Sequence, residues 1–370
     1  MKQIIDTVRK AAWKGIAGLA MSTALASCSM MEEELPPCPQ GLDIHFKYDY
    51  NLERADMFTD HVGGVMVYIF DENGKFITKQ SQANNAASKP LQAHDYAMHF
   101  DVNPGKYKYT AIAWQKSYEE CLATPGAKFR IAEPAAVNGT MQDIALTLDS
   151  EPIADDTLLV NNGGQPLDTL WHGMQTTAVE VVKDKVTSDT VSLTRDTKQI
   201  NITLRDIDEP WTVDVSNYEM SITDHNSRLL WDNSVDESNP VKYTPYATWN
   251  TEDRQPSQKA NADEEKEGGT GIIAHADFMT SRILYHENAK DDAILSVRNK
   301  QTGIEVIRVD LADLLSRLRT SADRYYSPQE FLDRGYDYRL SFYLKGDRWA
   351  YVDLQIGVLS WSKRVQFVEF

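Results

Sequence analysis

The chain has 370 residues, 55 acidic against 38 basic side chains, and a formal net charge of −17 at pH 7. That balance argues against a nucleic-acid partner, because phosphate binding needs clustered lysine and arginine, and against adsorption onto anionic lipid. The length exceeds one comfortable core, so two domains are expected.

The N-terminus opens with Lys2, Arg9, Lys10 and Lys14, followed by an apolar run from Gly15 to Ala26. This has the form of a secretory signal and is too short to span a bilayer. The run closes on Leu25-Ala26-Ser27-Cys28, a bacterial lipobox, which predicts removal of residues 1–27 and lipid attachment to the Cys28 thiol. The alternative is an ordinary signal peptide cut near Ala-x-Ser. Residues 28–37 contain Glu32-Glu33-Glu34 and Pro36-Pro37. The acidic run resembles the surface-export signal of Bacteroidota lipoproteins and equally suits a solvated tether. With Cys28 assigned to lipid, Cys38 and Cys121 remain. In an exported protein an even remainder reads as one disulfide, worth about 4–5 kcal/mol for so long a loop. Two unpaired buried thiols are the alternative.

From Gly41 to Tyr48 apolar side chains alternate at Leu42, Ile44, Phe46 and Tyr48, the period of a half-buried strand. Val65–Phe70 is continuously apolar and runs into Asp71-Glu72-Asn73-Gly74, with Phe76 and Ile77 beyond, a hairpin signal. Tyr96, Met98 and Phe100 alternate, Asn103-Pro104-Gly105 turns the chain, and alternation resumes from Lys106 to Trp114. Ile144, Leu146 and Leu148 mark another strand. Closely spaced strands with Gly, Pro and Asn punctuation predict an all-β sandwich. A looser segment, Asp149 to Gly173, holds the expected boundary between an N-terminal sandwich over 38–160 and a C-terminal one over 161–370.

Strands are then expected at Val179–Val182, Val191–Leu193, Ile200–Leu204 and Tyr218–Ile222. The polar stretch Asn250 to Gly269 reads as a solvated loop; it lacks the spacing of a calcium loop. Leu311, Leu314, Leu315 and Leu318 form one helical stripe, and Ser327-Pro328-Gln329-Glu330 fits a capping box, so two short helices interrupt the second sandwich. Strands return at Tyr338–Leu344, Trp349–Tyr351, Leu354–Val358 and Val365–Phe367, the last expected to stay in its own sheet.

No catalytic or metal motif stands out. His94 and His99 alternate to opposite faces, His172 lies in an apolar setting, and His275 and His286 have acids nearby without ligand spacing. Glu119 and Glu120 beside Cys121 oppose a reactive thiolate. Trp171, Trp211, Trp249 and Trp361 suit core or interface positions, with sugar stacking as the other use of such rings.

Several segments, in one order along almost the whole mature chain, resemble the FimB-type fimbrillin-associated anchor family. They are Cys38-Pro39-Gln40-Gly41-Leu42, Phe46-Lys47-Tyr48-Asp49 with Asn51, Val67-Tyr68-Ile69-Phe70-Asp71 and Asn73-Gly74-Lys75-Phe76. Leu170-Trp171-His172-Gly173, Ser281-Arg282-Ile283-Leu284, Gln329-Glu330-Phe331-Leu332-Asp333-Arg334 and Ile356-Gly357-Val358-Leu359-Ser360-Trp361 complete the set. The resemblance implies two tandem transthyretin-like β-sandwiches, no cofactor and no catalysis. It implies a lipoprotein that holds a fimbrial shaft to the outer membrane at the cell surface, limits its length, and contacts shaft subunits by strand addition. A surface glycan-binding lipoprotein of a nutrient-uptake system is the alternative.

Overall fold

The structure, a computed structural model, describes residues 39–253, 271–287, 292–319, 325–346, 348–358 and 361–368, with backbone alone from 358 onward. The alternating segment forms strand Gly41–Lys47, which buries Leu42, Ile44 and Phe46. It lies between Ala97–Phe100, antiparallel with Leu42 opposite Phe100, and Val186–Ser192, parallel with Gly41 opposite Val186. Against this three-stranded sheet packs a five-stranded one, ordered Thr194–Arg195, Leu170–Val181, Gly105–Trp114, Gly64–Asp71 and Phe76–Ala83.

The continuous apolar run explains the position of Gly64–Asp71. Val65, Val67 and Ile69 face the sandwich core around Leu42 and Ile44, while Met66, Tyr68 and Phe70 point the other way into a second core. A strand covered on both faces needs apolar residues at every position rather than every other one. The Asn-Gly hairpin forms as expected. Gly74 takes φ +81°, and Asp71 Oδ1 accepts from the backbone N–H groups of Asn73 and Lys75, each at 2.9 Å.

The second core is enclosed by two six-stranded sheets. In the first, Lys198–Asp206 runs antiparallel to Gly271–Thr280 and parallel to Asp337–Lys345, with Ile200, Ile202 and Leu204 inward. Ala247–Asp253 forms one edge; Arg348–Val358 and Trp361–Val368 continue to the other. The second sheet is ordered Glu305–Asp310, Ile294–Asn299, Tyr218–Asp224, Val241–Tyr243, Leu158–Val160 and Glu151–Pro152. A small sheet of Phe129–Ala132, Ala145–Leu148 and Arg228–Leu230 joins chain from both halves.

Five expectations change. Strands Leu170–Val181 and Val186–Ser192 follow the expected boundary at 160/161, yet they pair with Gly105–Trp114 and Gly41–Lys47, so the N-terminal sheets use chain up to Arg195. The loose segment itself donates Glu151–Pro152 and Leu158–Val160 to a C-terminal sheet. Short helices also occur in the first half, Phe58–His61 and Tyr118–Ala123; the second has a true capping box, Ser117 with Glu120. At Ser327 only half the box forms: Ser327 Oγ accepts from Glu330 N at 3.0 Å, while the Glu330 carboxylate turns to Arg334 Nε. Asn250–Asp253, read as loop, lies in an edge strand, and 254–270 are outside the described residues.

Candidate functional site: a buried polar joint and open sheet edges

Four of the family-like segments, those at 48–51, 170–173, 281–284 and 329–334, meet where the two halves join. Ser281-Arg282 follows strand Gly271–Thr280, and the helix Pro328–Arg334 presents Gln329, Asp333 and Arg334 to it. Arg282 grips Asp333 with two parallel hydrogen bonds, Nε to Oδ1 at 2.8 Å and NH2 to Oδ2 at 2.7 Å. Its remaining NH1 donates to the carbonyl of Asn233. Gln329 Nε2 donates to Asp333 Oδ1 at 3.0 Å and to the Ile283 carbonyl at 3.2 Å, and Gln329 Oε1 accepts from Tyr285 N at 2.8 Å. The guanidinium geometry needs arginine, since only a planar fork matches a carboxylate at two points.

Beneath this pair lies Lys198, fully buried at the start of its strand. Its ammonium donates to the carbonyls of Arg195 (3.1 Å), Asp333 (3.0 Å) and Gly335 (2.9 Å). Two of these carbonyls close the C-terminal end of the helix, where a cation completes unsatisfied acceptors. Burial pushes Lys198 down from the ordinary lysine value; Asp333 and Asp196 oppose it, and the three carbonyls favour the charged form. Burial pushes Asp196 up, against Arg282 and a hydrogen bond from Asn233 Nδ2 at 2.9 Å.

The N-terminal half reaches the same place. Trp171 is fully buried, edge-on to Tyr48 at 5.7 Å, with the Arg195 guanidinium over its ring at 5.8 Å and over Tyr336 at 4.2 Å. Asn51 folds the turn after Gly41–Lys47, donating to the carbonyls of Tyr48 and Ala55. Arg334 from the C-terminal helix stacks on Tyr50 at 4.0 Å and donates to the Asn51 carbonyl at 3.3 Å. Gly173 is required by close packing: a Cβ there would meet Val191 and Leu193 side chains at 2.7 and 2.8 Å. His172 is buried near Arg282 and Asp232, and burial, with the Arg282 charge, holds its imidazole down at about 4. The motifs therefore build a joint. Asp196, Lys198 and Asn233 were not singled out from sequence, because a polar run before an alternating strand has the look of a loop.

Other residues fall as follows. Cys28 and Cys38 lie outside the described residues. Cys121 is a buried thiol on Tyr118–Ala123, pushed up to about 12 by burial first and then by the Asp168 carboxylate, rather than by Glu119 and Glu120. His94 and His99 pair separately with Asp95 and Asp43. His286 lies between Asp292 (2.6 Å) and Glu237 (3.3 Å), and these carboxylates raise it against burial. Trp211 and Trp249 are exposed, whereas the Trp361 side chain is not described. Among the described residues no group of three or more His, Cys, Asp or Glu has metal-binding geometry, and no helix is long and apolar enough to cross a membrane.

The sheet edges are the second feature. Trp361–Val368 pairs with Arg348–Val358 in its own sheet, Val358 opposite Trp361 and Tyr351 opposite Val368, and forms that sheet's outermost strand. Phe76–Ala83 forms the edge of the five-stranded sheet, where Lys79, ion-paired with Glu133 at 2.5 Å, interrupts it with charge.

The family model described as fimbrillin-A associated anchor proteins Mfa1 and Mfa2 matches residues 35–367. A crystal structure of a candidate adhesin from Bacteroides thetaiotaomicron aligns with TM-score 0.70 and 26% identity, covering 90% of this chain and 99% of that one. A second from the same organism, described as a candidate polysaccharide-binding protein, gives 0.64 and 26% over 89% and 99%. The fimbrial anchor protein Mfa2 from Porphyromonas gingivalis shares the fold, with TM-score 0.56 and 16% identity over 88% and 99%. No curated protein sequence matches the chain. With nearly all of the folded chain inside the matched region, the chain belongs to the fimbrillin-A associated anchor protein family.

Proposed function

We propose that this chain is a lipid-anchored fimbrial subunit that holds a fimbrial shaft to the outer membrane and limits its length. The observation that supports this most is the family match over residues 35–367. The lipobox at Cys28 supplies the tether, with acyl chains holding the N-terminus and the acidic residues 28–37 spacing the fold from the lipid. The buried joint suits a part under tension, because arginines stack across it from both sides, Arg334 on Tyr50 and Arg195 on Tyr336. Shaft contact is made by strand addition at a sheet edge, main-chain hydrogen bonds giving affinity and alternating pockets giving register. Cys38 joins Cys121, tying the tether to the small helix Tyr118–Ala123. Burial raises the Cys121 thiol, which argues against nucleophilic work.

The experiment is a gene deletion complemented with the natural chain or with Cys28→Ala. The deletion strain sheds, lengthens or lacks fimbriae by electron microscopy, and the natural chain restores them. Cys28→Ala loses radiolabelled palmitate and releases the protein, with its polymer, to the medium. Fimbriae that stay attached at normal length in the deletion strain sink the reading.

A further inference from the structure

We propose that the outer face of the first C-terminal six-stranded sheet carries a binding cleft for a neutral saccharide, separate from any fimbrial contact. A cleft of about 370 Å³ opens there across five neighbouring strands, within the size range of small-ligand sites, about 300–1,000 Å³. Its wall is Trp249 on the edge strand Ala247–Asp253, 40% exposed and stacked flat on its cross-strand partner His275, 4.8 Å between centroids and 3° between planes. His275 is itself fixed, Nε2 against Thr251 Oγ1 at 2.7 Å. Burial lowers its basicity, so the stacked ring is neutral near pH 7. The result is a flat apolar plate at the surface whose rotamer is already set, which lowers the entropic cost of binding.

Beside the plate the sheet sets out polar groups in register. Thr203 is opposite His275 on one side and Ser341 on the other; Asn201, Arg339 and Gln355 form the next row. Asn201 Nδ2 is committed to Asp277 Oδ1 at 2.5 Å, which orients the amide. Thr203, Ser341 and Gln355 spend no side-chain hydrogen bond on the protein among the described residues, and all three line the cleft. A ring with an apolar C–H face and a rim of hydroxyls matches a plate bordered by amides and hydroxyls. The other ligand classes fit worse. A phosphate polymer would find one arginine in a chain of net charge −17. An added strand docks on a sheet edge rather than a face, and an apolar helix would need a groove without these polar groups.

The test is affinity gel electrophoresis of the full chain, purified in detergent, in gels cast with amylopectin, barley β-glucan, galactomannan, xylan or dextran, with polygalacturonate as the acidic comparison. Retardation is expected in at least one neutral gel. Trp249→Ala should weaken it by roughly tenfold or more, while Trp211→Ala, an exposed tryptophan outside the cleft, should leave it unchanged. Ser341→Leu, which fills the cleft without touching the plate, gives the same loss and covers the case in which Trp249→Ala unfolds. Three outcomes overturn the proposal: free migration in every neutral gel, retardation that both cleft variants retain, or retardation strongest in polygalacturonate. Fimbrial attachment is scored separately, so either reading stands or falls alone.

Discussion

Arg282 and Asp333 are mostly buried and bonded at two points, so neither partner can be lost singly without leaving a desolvated charge. Arg282→Met is expected to cost about 3–5 kcal/mol, read as a lower urea midpoint at unchanged slope. Asp333→Asn should cost comparably, and the double variant less than the sum of the two; strict additivity would show that the pair is not an energetic unit. His172 makes a pH prediction. Its folded-state value of about 4 lies below the ordinary 6.5, so both states are neutral above pH 6.5. As pH falls from 6.5 to 4 the unfolded chain takes up a proton that the folded chain refuses, and stability drops. The drop reaches about 3 kcal/mol by pH 4. Denaturation of His172→Gln at pH 7 and pH 4.5 should show a smaller loss than the natural chain; an equal loss would place the acid sensitivity elsewhere. Asp224 works in the opposite sense. Burial pushes it up to about 8, so its contribution weakens as pH rises from about 4 to 8, and Asp224→Asn should flatten that limb in the same titration.

At the scale of elements, strands with a clean period were legible and strands set by their partners were not. Leu42, Ile44 and Phe46 gave a period-2 signal because one side of their strand meets the core. The Ser327 start was legible because its cap is local in sequence. Leu170–Val181 was split between loop and strand, since Gly173, Gln175 and Thr176 interrupt the pattern and a bulge between Gln175 and Val179 shifts its register. Its partners Gly105–Trp114 and Thr194–Arg195 fix it as a strand. The joint was legible as a set of motifs but not as a place, because Trp171, Arg282 and Asp333 are brought together by topology alone. Its chemistry was hidden as well: Lys198 has no neighbour in sequence that announces three carbonyl partners. The last strand supplies the prediction at this scale. Trp361–Val368 is held by one neighbour, so removal of residues 361–370 uncovers the full edge of Arg348–Val358. An uncovered edge of that length should self-associate. Size-exclusion chromatography is expected to show oligomers that a synthetic peptide of residues 361–368 returns to monomer. A truncated chain that stays monomeric would argue against this edge as a site of strand exchange.

For the molecule as a whole, the two sandwiches share structure that a simple tandem arrangement would keep apart. The five-stranded sheet belongs to the N-terminal sandwich by one face and to the second core by the other, through Met66, Tyr68, Phe70, Ile112 and Trp114. Chain crosses in both directions: Glu151–Pro152 and Leu158–Val160 enter a C-terminal sheet, and Arg228–Leu230 pairs with Ala145–Leu148. At the joint Arg334 then binds the N-terminal half, stacking on Tyr50 and donating to the Asn51 carbonyl. On the proposed function, in which lipid holds one end and the shaft pulls at the other, force on either sandwich is shared by a common core. Unfolding of the full chain should accordingly be one cooperative transition, with tryptophan fluorescence and far-ultraviolet circular dichroism giving coincident urea curves. A fragment of residues 39–160 should stay unfolded, because it lacks Val186–Ser192 and Leu170–Val181, which flank Gly41–Lys47 and Gly105–Trp114 on one side and close the N-terminal sheets. A fragment of 39–195 regains both sheets but leaves the second face of the larger one open to water, and is expected to aggregate rather than circulate as a monomer. Two separated transitions in the full chain, or a monomeric, cooperatively folding 39–195, would mean that the shared core does not couple the halves.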